Sequence, residues 1–197
     1  MIIINAYSIY KTARNASWKC LIDTGINSLP VKVMKITDFF GIDVLRNCEV
    51  NLLAPSEYGC SMVDRAGKWI IVYEDTDPPA RIRFTIAHEL GHILLGHEIS
   101  AGFGHYRRIY GNKPANETQA DEFAVRLLAP ACVLWALNAT TPEEIAEVCE
   151  ISRTAAQYRA KRMAVLMQRN AFLMHPLEKQ LYTAFLPWIE QQKIRPE

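Results

Sequence analysis

The sequence predicts an α+β fold in which helices surround a small antiparallel sheet and a helical segment follows. Three observations carry this. Apolar residues recur at helical spacing near the start of the chain and again from Ile82 onward. Between those stretches lies a short β-rich pair around a glycine-containing turn. The 197 residues, half of them apolar and 22% charged, are ample for one buried core and have ordinary globular composition, which excludes disorder and collagen-like architecture.

From Ile9 to Phe40 the apolar positions (Ile9, Trp18 with Ile22, then Val33, Ile36, Phe39 and Phe40) fit two helices interrupted at Gly25 to Pro30. Ser61 to Val63 and Trp69 to Tyr73 flank Asp64-Arg65-Ala66-Gly67-Lys68 and read as a hairpin, with Glu49 to Leu53 as a third strand. Asp75 to Pro79 then feeds a helix whose stripe is Ile82, Ile86, Leu90 and Ile93, and which runs to about Gly96. Gly102 to Asn116 is a polar loop, and the next helix, Glu117 to Leu128, is ended by Pro130. Thr141-Pro142-Glu143-Glu144 opens a further helix, and at least two more follow. The expected boundary lies near residues 130–140, dividing 1–135, the α+β unit with its N-terminal helices, from 136–197, a helical segment.

With 22 basic and 21 acidic side chains the formal net charge is +1, so bulk electrostatics favours neither nucleic acid, nor an anionic membrane, nor acidic substrates. The longest apolar run, Ala131 to Leu137, has seven residues, whereas a bilayer span needs about 20. Ile2 to Ile4 give way at once to Asn5 with no basic region ahead, unlike a signal peptide. Five cysteines (Cys20, Cys48, Cys60, Cys132, Cys149) are odd in number, scattered and never spaced C-x-x-C, which reads as reduced thiols. A cytoplasmic protein with no membrane partner is expected.

His88-Glu89-Leu90-Gly91-His92 is H-E-x-x-H. Residues four apart share one helical face, so both imidazoles can bind one zinc ion, and Glu89 stands beside it as general acid/base. A chance match in this composition has a probability of about 0.01. Catalytic zinc usually takes three protein ligands and leaves one position open for water. The spacing H-E-x-x-H-x-x-G-x-x-H fails, because Leu95 and Glu98 occupy its last two positions, and His97 lies five residues on, about 140° around the helix from His92. Glu117-Thr118-Gln119-Ala120-Asp121 is E-x-x-x-D on the next helix. Glu117 is the candidate third ligand, and Asp121 can accept the other N–H of a ligand imidazole and fix its tautomer. Such a pair is more often a solvated acidic face, and H-E-x-x-H can also stand in a degenerate scaffold without metal. His97 reads as a C-terminal cap that complements the helix dipole. His105, with Tyr106 and Tyr110, lies on the intervening loop and can donate to an oxyanion or touch substrate.

The run Arg83 to His92, followed by Glu117-x-x-Ala120-Asp121-x-Phe123-Ala124 and Leu127-Leu128-Ala129-Pro130, resembles the ImmA/IrrE family of zinc metallopeptidases over about residues 40–165. Ala129 departs from the family's usual methionine. The resemblance implies a zincin-like peptidase fold within 1–135, one zinc ion per chain on His88, His92 and Glu117, and catalysis by Glu89. It also implies a protein substrate: members cleave a helix-turn-helix repressor and release its genes in a mobile element, a phage or a stress response.

Thr141 to Arg162 looks like a helix-turn-helix. Residues 151–170 hold Arg153, Arg159, Lys161, Arg162 and Arg169 and no acid, so this segment is a candidate contact to phosphate. Glu150, however, occupies the turn position where glycine is usual. Family members carry a similar helical segment, so its presence does not by itself imply DNA binding, which is not favoured. The competing class is a non-enzymatic DNA-binding or metal-sensing regulator with a degenerate peptidase fold. In the tail, Leu177, Leu181, Phe185 and Trp188 share one helical face that is expected to pack on the core or engage a partner.

Overall fold

The computed structural model describes residues 6–97 and 114–194. Its elements in chain order are α1 (Ala6–Asp23), α2 (Val33–Phe39), β1 (Asp43–Arg46), α3 (Asn47–Val50), β2 (Gly59–Val63), β3 (Trp69–Tyr73), α4 (Pro79–Leu94), α5 (Ala115–Leu128), α6 (Ala131–Ala136), α7 (Pro142–Cys149), α8 (Arg153–Gln168) and α9 (Pro176–Ile194). The fold is α+β, as the periodicities predict. Contacts divide the described chain into two compact units. One is built on residues 33–124 with the first part of α1, the other on residues 125–194 with the remainder of α1 and the segment up to residue 32.

In the first unit the sheet has the order β1-β3-β2. The expected hairpin is present: β2 and β3 pair antiparallel with Ser61 opposite Ile71. Its turn is held by the Asp64 carboxylate, which accepts from the Ala66 and Lys68 N–H groups at 2.8 Å each, and by Gly67 at φ +84°. The third strand differs from the expected one. It is Asp43–Arg46 rather than residues 49–53, and it runs parallel to β3, so the sheet is mixed. The reason lies in Asn47, whose side-chain carbonyl accepts from the Leu52 and Leu53 N–H groups at 3.0 Å each. Those donors are therefore lost to a strand ladder. Asn51 at φ +47° closes the helical turn α3. The apolar residues there still pack, with Val50, Leu52 and Leu53 joining Cys60, Val72, Leu45 and Ile70 on one sheet face.

The opposite sheet face carries Gly59, Ser61 and Ile71 and lies against α4. A Cβ on Gly59 would stand 2.4 Å from Thr85 Cγ2 and 3.0 Å from the Val72 carbonyl, so only glycine admits the helix at this distance. Pro79 opens α4 at a position where its missing N–H costs nothing.

In the second unit α7 and α8 form the helix-turn-helix read from the sequence. Thr141 and Glu144 make a capping box, and Ser152 caps α8 by accepting from the Ala155 N–H. Glu150 takes φ +50°, the left-handed turn conformation usually given to glycine. Arg153 is ion-paired to Glu143, and Arg159 is buried at 4% exposure, so of the five cations of this segment one is engaged within the unit and another is withdrawn from the surface. α6 was not expected from the sequence. On α9 Leu181, Phe185 and Ile189 are buried, which turns the predicted stripe inward. Among the described residues no helix is long and apolar enough to cross a membrane.

Candidate metal centre

α4 presents His88, Glu89 and His92, and α5 presents Glu117 and Asp121. The two helices meet at a glycine. A Cβ on Gly91 would stand 3.0 Å from Phe123 Cδ1 and 3.2 Å from the Ala120 Cα. Small residues at 91 and 120 thus let the backbones approach until the Glu117 carboxylate reaches both imidazoles.

The Nε2 atoms of His88 and His92 are 3.0 Å apart. Glu117 Oε2 lies 3.4 Å from His88 Nε2, and Glu117 Oε1 lies 3.3 Å from His92 Nε2. Zinc with bonds of about 2.0–2.1 Å in a tetrahedron sets its donors about 3.3 Å apart, and the separation of the two imidazole nitrogens and that of each from its nearer Glu117 oxygen are of this size. The remaining polar atoms agree. Glu89 Oε2 is buried and makes no hydrogen bond, and the buried Glu117 carboxylate meets the two imidazoles at 3.3–3.4 Å. Among the described residues this trio is the group of His, Cys, Asp and Glu side chains close enough together to hold a metal ion.

Asp121 Oδ1 is 2.8 Å from His88 Nδ1, the back-side contact expected from the E-x-x-x-D spacing. Burial disfavours a charged His88, but hydrogen bonds to Asp121 and Glu117 and the charge of Glu89 outweigh it and push His88 up to about 9. For Glu117 burial acts upward, yet the hydrogen bonds from His88 and His92 hold its carboxyl far below the usual carboxylate range. Glu89 is buried at 3% exposure, and desolvation raises its proton affinity against the pull of the two histidines. Ser61, on the sheet face that α4 covers, is fully buried, and its hydroxyl acts downward on Glu89 against the desolvation.

His97 does not act as the solvent-facing cap expected from the sequence. Its Nδ1 is 2.9 Å from His92 Nδ1 and its Nε2 is 2.9 Å from Gln119 Oε1. The cause is local. Gly96 takes φ +66°, the His97 N–H reaches back to the His92 carbonyl at 3.1 Å, and the Gly96 N–H bonds the Ile93 carbonyl at 3.1 Å. This left-handed termination folds the last residue over the turn it has just left. The signal was in the sequence, as a glycine followed by histidine where a stripe ends. His105, Tyr106 and Tyr110 lie outside the described residues.

A peptidase-family model described as the IrrE N-terminal-like domain matches residues 40–161. That span takes in the sheet, α4, α5, α7 and the first half of α8. No curated protein matches the chain.

Proposed function

Because the chain belongs to the IrrE N-terminal-like family of peptidases, we propose that it is a zinc-dependent endopeptidase whose substrate is a helix-turn-helix repressor. The observation that supports the zinc assignment is the convergence of His88, His92 and Glu117 within reach of one ion, with a buried Glu89 oxygen that makes no hydrogen bond on the same helix. Zinc held there would polarise the scissile carbonyl and acidify a water.

The chain's own residues do the rest. Glu117 brings the negative charge that favours a dication, and Asp121 holds His88 in the tautomer whose Nε2 is bare. Glu89 takes the proton from the attacking water and delivers it to the departing amine nitrogen. A carboxyl whose proton affinity is raised by burial is suited to holding that proton between the two steps. On the sequence argument His105, Tyr106 and Tyr110 are candidates for contact with the oxyanion or the substrate.

The repressor substrate is supported by the family resemblance. A cytoplasmic site of action suits that partner and the five free cysteines. The ion pair of Arg153 and the burial of Arg159 favour α7 and α8 as a packing module over a phosphate reader.

The test pairs elemental mass spectrometry with a cleavage assay on helix-turn-helix repressors, beginning with any encoded near this gene. About one zinc per chain, lost in His92→Ala and Glu117→Ala, together with cleavage that falls by at least about 10²-fold in Glu89→Gln while zinc is retained, is the expected outcome. A chain that takes up no zinc, or a Glu89→Gln variant that cuts as fast as wild type, refutes the assignment.

A further inference from the structure

The geometry points to His97 and Gln119 as a relay that fixes the tautomer and ring orientation of His92, a positioning device resting on the peptidase reading above. The backbone comes first. A helix ended by a left-handed residue brings the second residue beyond its cap over the residue five positions earlier, a place ordinarily filled by an apolar contact. Here the pair is His92 and His97, and the contact is a hydrogen bond between ring nitrogens at 2.9 Å.

The direction of that bond is fixed by what His92 does on its other side. Its Nε2 faces His88 Nε2 and Glu117 Oε1, so a metal ligand through Nε2 must carry its proton on Nδ1 and donate it. His97 Nδ1 therefore accepts. His97 then carries its own proton on Nε2, and Gln119 Oε1 at 2.9 Å accepts it. On His97 Nδ1 accepts and Nε2 donates, and the chain ends on an amide oxygen that has no proton to give. His92 is fully buried and His97 nearly so, at 9% exposure, so water does not compete for these bonds.

The two ligand histidines are thus held differently, His88 by the Asp121 carboxylate and His92 by a neutral relay. The neutral partner orients His92 without adding negative charge to a site that already contains Glu117, Asp121 and Glu89. Gln119 lies two residues after Glu117 on α5, so the relay also ties the helix bearing the third ligand to the end of the helix bearing the first two.

The experiment uses the full-length chain. Long-range proton–nitrogen spectra of the metal-free protein should show His97 protonated at Nε2 with a bare Nδ1, and His92 protonated at Nδ1. Zinc affinity by chelator competition should fall about 10- to 100-fold in His97→Leu, and the visible absorption of the cobalt(II)-loaded variant should shift. His97→Asn, whose side-chain oxygen can stand where Nδ1 accepts, should restore affinity to within about threefold of wild type. If His97→Leu does not fold, Gln119→Leu, on a half-buried position, carries the test through a several-fold loss of affinity. The inference is overturned if His97→Leu binds zinc within twofold of wild type with an unchanged cobalt spectrum, or if His97 is protonated at Nδ1. A wild-type chain that binds neither metal overturns the peptidase reading and this role with it, whatever tautomers the spectra show.

Discussion

In the proposed zinc site proton and metal compete for His88, and the size of that competition follows from its surroundings. The Asp121 and Glu117 contacts hold the imidazolium, pushing His88 up to about 9. A zinc ion needs the same Nε2 bare. At pH 7 the proton must therefore be displaced at a cost of about two pH units, or about 3 kcal/mol. Apparent zinc affinity should rise about tenfold per pH unit from pH 7 and level off above about 9. An unperturbed imidazole would cost about 0.1 unit at pH 7 and give a nearly flat profile. The metal-free protein should slope the other way. A folded-state value above the unfolded 6.5 contributes stability that is fully present below 6.5 and lost as the pH rises through 9. Between pH 6.5 and 8 the loss is about 1–2 kcal/mol, and this window stays below the range in which the buried thiols of Cys20, Cys60 and Cys132, pushed up to about 12, enter the balance. The assays are chelator competition across pH 7–9, corrected for the chelator's own protons, and urea unfolding of the metal-free chain at pH 6.5 and 8. Asp121→Asn should flatten both slopes. Zinc affinity that changes by less than about twofold over pH 7–9 would refute the coupling.

Three further outcomes follow from the same geometry. Gly96→Ala puts a Cβ into the left-handed conformation at φ +66° and should cost about 1–2 kcal/mol in chemical denaturation. Because it also displaces His97, zinc affinity should fall in the same variant. Gly91→Ala crowds Phe123 and the Ala120 backbone at 3.0–3.3 Å, and the overpacking should cost about 1–3 kcal/mol in urea unfolding; unaltered zinc binding would show that α4 and α5 need not sit so close. Glu150→Gly relieves a non-glycine residue at φ +50° and should stabilise the chain by about 0.5–1 kcal/mol, read as a higher urea midpoint.

The elements legible in the sequence were those whose period outlasts their ends. α4 and the β2–β3 hairpin show clear repeats and strong turn residues, and both fall where the pattern puts them. β1 has four residues, too few for an alternation to stand out, while residues 49–53 look strand-like because they are apolar. What that stretch records is burial under the sheet, and the side chain of Asn47 decides that it is not a strand. α6 was hidden for a related reason. Seven successive apolar residues between Pro130 and Asn138 carry no period at all, and such a run fits a buried helix as well as a buried strand.

The candidate site divides along the same line. His88, His92, Glu117 and Asp121 are each paired at a spacing of four within one helix, so helical geometry alone brings them together in twos. What joins the two pairs is a packing fact, the close approach at Gly91 and Ala120, which spacing within either helix does not contain. His97 fails the wheel argument because the wheel assumes that the helix continues. It ends at Gly96, and the reversal there converts a residue 140° away from His92 into its hydrogen-bonded neighbour. A metal site on a helix is therefore incompletely read when the search stops at the ligand motif. The termination of the ligand helix supplies a side chain to the site as surely as its face does, and a glycine within one turn of the last ligand marks where that side chain comes from.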